Sequence, residues 1–244
     1  MLGNKESGKT TYMASAFCLL SNCMGGFRLT TDSDSERWFR DLFHDIKNGR
    51  YPSPTNKRNR YCLSLCRQQR KILDFEWIDY NGGVIDEEEV GDLDNDIDRS
   101  DGLMIFLEAR ALLSSEESVY RFRRIHALIH SKLLNSNCPL FSVIIVITKY
   151  DEIPCNSFRS VVSPISGFVS CISESDRIYS NVIPVSCTGK GFFNVEVPLL
   201  DILDSGLIID YLDAAVNCRT VQCESLKLDR EALAYYINSH TQKK

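Results

Sequence analysis

Apolar residues recur along the chain at two different periods, which predict helices and strands in alternation. Met13, Phe17 and Leu20 share the spacing of one helix face, so we expect a helix from about Gly8 to Ser21. Phe141 to Ile147 is instead an almost unbroken apolar and largely β-branched run. Such a run is typical of a central parallel strand that is covered on both faces.

Other apolar runs continue this alternation. They predict strands at Phe27–Thr31, Tyr61–Cys66, Lys71–Ile78, Gly102–Leu107 and Ile178–Val185. They also predict a helix that is capped within Asp32 to Asp34, carries its apolar stripe from Trp38 to Ile46 and ends at Asn48-Gly49. Further helices are expected from Ser114 or Ser115 onwards, at Phe158–Ile172 with a break near Pro164 and Gly167, at Leu199–Leu212 and at Arg230–Asn238. The fold class that follows is α/β, with a mostly parallel sheet, one antiparallel hairpin strand and helices on both faces. We expect one domain over residues 1–244, with its core in about residues 1–200 and C-terminal helices in residues 199–244.

Composition and charge narrow the class of protein. The chain has 244 residues, of which 43% are hydrophobic and 25% are charged, as in an ordinary globular domain. The formal net charge of −5 gives no strong attraction to nucleic acid or to an anionic membrane. No signal peptide and no apolar run long enough to span a bilayer is found. We therefore expect a cytoplasmic protein whose ten scattered cysteines stay reduced.

A phosphate-binding motif stands at the start of the chain. The pattern G-x-x-x-x-G-K-[ST] is formed by Gly3, Asn4, Lys5, Glu6, Ser7, Gly8, Lys9 and Thr10. Its glycines let successive backbone N–H groups surround an anion, Lys9 adds a charge at the β- and γ-phosphates, and Thr10 offers a hydroxyl to Mg²⁺. We expect Thr11, the next residue of the helix, to bind the nucleotide too. The alternative is an ordinary glycine-rich turn before a helix.

The strand that should precede this motif is very short. Only Met1 and Leu2 stand before Gly3, whereas a buried strand usually has about five residues. We therefore expect a truncated first strand. One hypothesis is that the gene product begins upstream, with an apolar stretch that completes the strand.

Three further polar motifs follow predicted strands. They are Asp79-Tyr80-Asn81-Gly82, Thr148-Lys149-Tyr150-Asp151 and Ser186-Cys187-Thr188. Ligands of α/β sheets bind at the carboxyl ends of the strands, so we expect these motifs and the phosphate-binding loop to share one site. The first of them could instead be a capped strand-to-helix turn, which also favours Asp and Gly.

In this order the motifs resemble those of P-loop GTPases of the translation-factor and Ras-like class, which have a three-layer fold. Thr55 lies where the switch I threonine is expected, and Asp79 to Gly82 matches the D-x-x-G of switch II. Thr148 to Asp151 resembles the guanine-reading N-K-x-D, and Ser186 to Thr188 resembles the S-A-K loop. The additional strand and helix before Thr55 look like the bacterial double-GTPase-like group.

The resemblance implies GTP or GDP and Mg²⁺ as cofactors. On the phosphate side, Thr10 and Thr55 would ligate Mg²⁺, Asp79 would hold it through water, and the Gly82 N–H would contact the γ-phosphate. Lys9, Thr55 and Gly82 are therefore the expected catalytic residues.

On the base side, the Asp151 carboxylate would accept hydrogen bonds from guanine N1–H and the 2-amino group. The Lys149 side chain would lie over the base, and the Cys187 N–H would meet the guanine oxygen. The expected base-side residues are Thr148, Lys149, Asp151, Ser186, Cys187 and Thr188.

Two departures from the pattern predict a weak enzyme. Thr148 replaces an Asn that ties this loop to the P-loop, so nucleotide affinity is expected to fall. Gly83 stands where Ras-like members carry a water-orienting Gln, so we expect slow hydrolysis that a protein partner assists. Arg50, five residues before Thr55, is a candidate arginine finger in cis. The alternatives are a degenerate GTPase-like scaffold that binds nucleotide without turnover, and an ATPase of the broader P-loop class.

Overall fold

The structure is a computed structural model that describes residues 1–53, 57–81, 91–114, 117–135, 140–153, 158–188, 191–216 and 220–241. Its strands are β1 Leu2–Gly3, β2 Phe27–Thr30, β3 Asn59–Arg67, β4 Arg70–Asp79, β5 Gly102–Glu108, β6 Phe141–Thr148, β7 Ile178–Pro184, β8 Ser186–Thr188 and β9 Gly191–Phe193. Its helices are α1 Lys9–Ser21, α2 Ser33–Lys47, α3 Gly91–Arg99, α4 Ala109–Ser114, α5 Glu117–Asn135, α6 Phe158–Val162, α7 Ser166–Ser173, α8 Val197–Val216 and α9 Thr220–Thr241.

The central sheet is parallel, in the order β1-β5-β6-β7. Every residue of β6 is buried, which confirms the expectation of a strand covered on both faces. Successive side chains of β5 belong to different apolar clusters because side chains alternate across a strand: Phe106 lies with α1 and α8 in one cluster, and Ile105 lies in the other. The prediction of an α/β fold with a mostly parallel sheet and helices on both faces is confirmed.

The predicted hairpin of β3 and β4 lies in an antiparallel sheet of its own, in the order β2-β3-β4. The two sheets approach each other where the N-terminal ammonium of Met1, next to β1, donates a hydrogen bond to Ile78 O of β4 at 2.6 Å. The first strand is short, as expected, because β1 pairs with β5 only at Leu2 and Gly3. The sequence placed one antiparallel hairpin strand in the main sheet, whereas in the structure both hairpin strands belong to the separate sheet β2-β3-β4.

Some helix boundaries differ from the predicted ones. The break expected near Pro164 and Gly167 is a short 3-10 turn at Ser163–Ile165, and Gly167 itself lies inside α7. The short helix α4 and the hairpin of β8 and β9 were not predicted from the sequence. Both consist of very short elements, in which no hydrophobic period can be recognised.

The last helix packs against the hairpin sheet through a buried charge. Asp229 of α9 is 1% exposed and its carboxylate accepts hydrogen bonds from Arg67, at 3.1 Å, and from Arg70. The two guanidinium groups compensate the charge of a buried carboxylate, which without partners would cost a large amount of free energy. No helix in the described part of the chain is long and apolar enough to cross a membrane.

Two clefts lie beside the central sheet. The larger, of about 860 Å³, is lined by β4, the start of β5, α3 and α8. It lies beside the short β1, and the predicted site residues do not line it. The smaller, of about 420 Å³, lies at the carboxyl ends of the parallel strands. The smaller cleft is the functional candidate because ligands of such sheets bind at that edge.

Candidate nucleotide-binding site

The loop between β1 and α1 has a backbone that glycine makes possible. Gly8 has a φ of 83°, in the left-handed region that glycine adopts without strain. A Cβ atom added to Gly3 would lie 2.6 Å from the Phe106 carbonyl oxygen of β5, so a larger residue does not fit there. The two glycines of the motif therefore hold the loop tightly against the sheet.

Lys9 places its ammonium group inside this loop. The side chain is 6% exposed, and Nζ donates hydrogen bonds to Gly3 O and Asn4 O, each at 2.9 Å. Burial lowers the pKa of Lys9, and the nearby Asp79 carboxylate partly offsets that effect. A desolvated ammonium held by carbonyl groups is suited to binding an anion, because its charge is poorly screened.

Thr10 and Asp79 meet at the other side of the loop. Thr10 Oγ1 donates a hydrogen bond to Asp79 Oδ2 at 3.0 Å, and Asp79 is fully buried. Asp79 Oδ1 has no hydrogen-bond partner among the described residues, and burial raises the pKa of this carboxyl. A hydroxyl beside a buried carboxylate is a fitting donor set for Mg²⁺, which prefers few carboxylates plus water and phosphate oxygens. The described residues hold no cluster of three or more His, Cys, Asp or Glu side chains suited to a metal, and Mg²⁺ needs none.

Thr148 ties the phosphate-binding loop to the sheet. Its buried Oγ1 lies 2.8 Å from Ser7 O and 3.2 Å from Leu107 O, and its side chain packs beside Gly8. From the sequence we expected Thr148, whose side chain is shorter than that of Asn, to connect this segment to the P-loop less well. The structure shows that its hydroxyl reaches the loop.

We expect Thr148→Val to loosen the site. The variant keeps the β-branched shape but leaves the Ser7 and Leu107 carbonyls without this donor. The free energy of unfolding should therefore fall by about 1–3 kcal/mol. Urea unfolding measures this change, and nucleotide affinity should fall with it. Thr148→Ser, which keeps the hydroxyl, is the matched control and should lose much less. Equal stability of the wild type and the Val variant would contradict the role of the hydroxyl.

The segment Thr148 to Asp151, which follows β6, contains a left-handed residue, Lys149, with a φ of 52°. Lys149 Nζ lies 3.0 Å from Glu108 Oε2, at the end of the neighbouring strand β5. Asp151 accepts two hydroxyl hydrogen bonds, from Ser186 to Oδ1 at 2.6 Å and from Thr188 to Oδ2 at 2.7 Å. The predicted base-side residues are thus assembled by direct contacts between the ends of β6 and β8.

The alternation of side chains along β8 explains the different surroundings of its three residues. Ser186 and Thr188 point to the same side, towards Asp151, whereas Cys187 points the other way, where its thiol contacts Ser15 of α1. Burial raises the pKa of the Cys187 thiol to about 12. A thiol with so high a pKa stays protonated at neutral pH, so it has little nucleophilic character.

The 420 Å³ cleft brings most of the predicted site residues together. It is lined by Lys5, Glu6, Ser7, Gly8, Lys9, Thr10, Thr11, Thr148, Lys149, Cys187 and Thr188 from the predicted set. Five predicted residues that the structure describes do not line the cleft: Gly3, Asn4, Asp79, Asp151 and Ser186. Four of them accept hydrogen bonds from residues that line the cleft: Gly3 and Asn4 from Lys9, Asp79 from Thr10, and Asp151 from Thr188. The fifth, Ser186, donates a hydrogen bond to Asp151. Thr55 and Gly82 lie outside the described residues.

Sequence reasoning missed several residues of the cleft. Tyr51, Pro52 and Ser53 line it from the loop before Thr55, and Tyr51 is 54% exposed there. Glu152 and Val185 complete the lining. The sequence signal that could have identified the first three is an aromatic residue beside a proline shortly before Thr55. Arg50, the candidate finger, binds Asp45 at 2.5 Å on the surface of α2 and does not line the cleft.

The fold and this site define the class of protein. A strand–loop–helix unit carrying G-x-x-x-x-G-K-T at the edge of a parallel sheet is the architecture of a P-loop NTPase. A family model described as Double-GTPase 2 matches residues 1–175, and the chain belongs to this family. Membership implies that the chain binds guanine nucleotide. The curated proteins include none that matches the chain.

Proposed function

We propose that the chain is a GTP-binding molecular switch that hydrolyses GTP slowly with Mg²⁺ and is regulated by a protein partner. The observation that carries this proposal is the cleft itself. It joins the phosphate-binding loop to the Lys149 segment and to the hairpin that begins at Ser186. One ligand that carries phosphates at one end and a purine at the other would contact all three.

At the phosphate end, the residues offer complementary charge. The helix α1 begins at Lys9 beside the cleft, so the backbone N–H groups of its first turn would be available to a phosphate, and the Lys9 ammonium is held beside them by Gly3 O and Asn4 O. Thr10, Thr55 and Asp79 would hold Mg²⁺, since the partly buried Thr10 supplies a hydroxyl and the buried Asp79 supplies a carboxylate. The ion would neutralise charge on the β- and γ-phosphate oxygens. Gly82 would contact the γ-phosphate, so that hydrolysis releases its segment.

At the base end, Asp151 would select guanine. Guanine presents two neighbouring donors, N1–H and the 2-amino group, to the two carboxylate oxygens. Adenine lacks this pair, so the carboxylate would lose its partners on binding ATP. Lys149, which Glu108 holds at 3.0 Å, would cover the face of the base with its aliphatic carbons.

The sequence after the D-x-x-G motif supports the proposal of slow turnover. Gly83 follows the D-x-x-G motif and has no side chain to orient the attacking water. Arg50 is paired with Asp45, so it would have to leave that partner to act as a finger in cis. A protein partner that supplies the missing group is the simpler route to fast hydrolysis.

The same Gly83 favours a second candidate function, a GTPase-like scaffold that binds GTP without turnover. Single-turnover hydrolysis of radiolabelled GTP, with and without Mg²⁺, separates the two. The switch predicts slow release of phosphate that requires Mg²⁺ and is absent in Lys9→Ala, which controls for a contaminating enzyme. Stable binding with no phosphate release above the Lys9→Ala background would support the scaffold.

A further inference from the structure

One carboxylate of α3 connects three separate parts of the chain. The Asp96 side chain is 12% exposed and forms ion pairs with Arg58, just before β3, and with Arg60 of β3, at 3.4 Å. It also accepts a hydrogen bond from the hydroxyl of Tyr80, which follows β4. The Arg58 guanidinium in turn lies over the Tyr80 ring, 5.8 Å from its centroid. These four side chains form one connected group, the Asp96 cluster.

The Asp96 cluster lies close in the chain to the two residues that would contact the γ-phosphate side of the ligand. Its four members, all of them described, lie outside the lining of the 420 Å³ cleft. Arg58 follows Thr55 by three residues, and Tyr80 precedes Gly82 by two. Asp96 therefore connects the segment that follows Thr55 to the segment that leads to Gly82.

We infer that Asp96 is a positioning residue for the γ-phosphate contacts, which rests on the proposed binding of GTP. Ordering a chain segment around a ligand costs conformational entropy, and this cost weakens binding. A carboxylate that already holds the chain beside Thr55 and beside Gly82 lowers the cost, because fewer backbone angles remain to be fixed. Asp96 would touch no nucleotide atom itself and would act through those two residues.

The exposure of the cluster favours this role over a general contribution to stability. The side chains of Arg58 and Arg60 are 34% and 45% exposed, and ion pairs at such positions stabilise a fold only slightly because water screens them. GDP has no γ-phosphate, so its affinity should depend little on Asp96. A merely structural role would weaken GTP and GDP equally.

The test compares Asp96→Asn with Glu76→Gln in the full chain. Asn keeps the size of the side chain and removes the charge that holds two guanidinium groups. Glu76 pairs with Arg60 at 2.8 Å and is 51% exposed, so Glu76→Gln makes the same chemical change at the edge of the cluster. Dissociation constants for GDP and for a non-hydrolysable GTP analogue are measured with Mg²⁺. We expect Asp96→Asn to bind the analogue about tenfold more weakly and GDP almost as the wild type does, whereas Glu76→Gln should keep the wild-type ratio.

Tyr80→Phe tests the same inference with a smaller change. Phe keeps the ring that lies against Arg58 and removes only the hydroxyl that donates to Asp96. The GTP analogue should again lose more affinity than GDP. Thermal unfolding is measured for each variant, and Tyr80→Phe decides the test if Asp96→Asn does not fold.

Two results would overturn the inference while guanine nucleotide binding stands. The first is an unchanged ratio of the two dissociation constants in the deciding variant, which indicates a structural role only. The second is equal affinity of the wild type for GDP and the GTP analogue, because the γ-phosphate contacts then contribute nothing to be positioned. Binding of neither nucleotide by the wild type would instead overturn the proposed function itself.

Discussion

Lys9→Ala is expected to bind GTP at least about 100-fold more weakly than the wild type. The variant removes an ammonium group that is 6% exposed and lies inside the phosphate-binding loop. Hydrogen bonds to charged groups contribute roughly 1.5–3 kcal/mol each, and a phosphate would receive a charged contact here with little screening by water. Isothermal titration calorimetry with GTP and Mg²⁺ measures the loss.

Lys71→Ala is the matched control for the change of charge. Lys71 is exposed on the β3–β4 hairpin and pairs with Asp74, so its removal should leave GTP affinity unchanged. Burial lowers the pKa of Lys9, which means that the charged form is less favourable in the folded protein than in water. Removing this charge should therefore not unfold the protein. Thermal unfolding checks this point. GTP binding by Lys9→Ala at wild-type strength would exclude the assignment of the loop.

Asp151→Asn is expected to move the preference of the site from guanine towards xanthine. The amide of Asn offers one acceptor and one donor in place of two acceptors. Xanthine carries an oxygen where guanine carries the 2-amino group, so it complements the amide. GTP affinity should fall by about 100-fold because the 2-amino group then faces a donor, while xanthosine triphosphate should bind more tightly than it does to the wild type.

Displacement of a bound fluorescent nucleotide by GTP and by xanthosine triphosphate measures this change in preference. Asp74→Asn, an exposed Asp on the hairpin, makes the same chemical change away from the cleft and should bind as the wild type does. The ATPase alternative predicts something different, namely that ATP competes and that loss of the Asp151 carboxylate leaves affinity unchanged. That outcome would contradict the base-side assignment.

The elements predicted best are those with strong local patterns. The buried run of β6 and the helical spacing of α1 are fixed by side-chain period alone, and both appear within a residue or so of the predicted limits. The P-loop was recognisable because its backbone requires glycine at Gly3 and Gly8. In contrast, β8 and β9 have three residues each, which is too few for a hydrophobic period to be recognised.

Contacts between distant strands could not be read from the sequence in the same way. The pairing of Lys149 with Glu108 requires β5 and β6 to be neighbours in the register that sets Glu108 beside Thr148. The reach of the Thr148 hydroxyl to Ser7 O likewise depends on how closely the loop lies against the sheet. Residue types at strand ends predicted where the site lies, while its hydrogen bonds follow from packing between distant segments.

Binding of a fluorescent GTP analogue to the purified chain with Mg²⁺, competed by GDP and by ATP, tests the central claim most directly. The claim is that one cleft holds phosphates through Lys9 and reads guanine through Asp151. It predicts saturable binding that GDP displaces and ATP does not. Displacement by ATP as effectively as by GDP, or no binding at all, would contradict it.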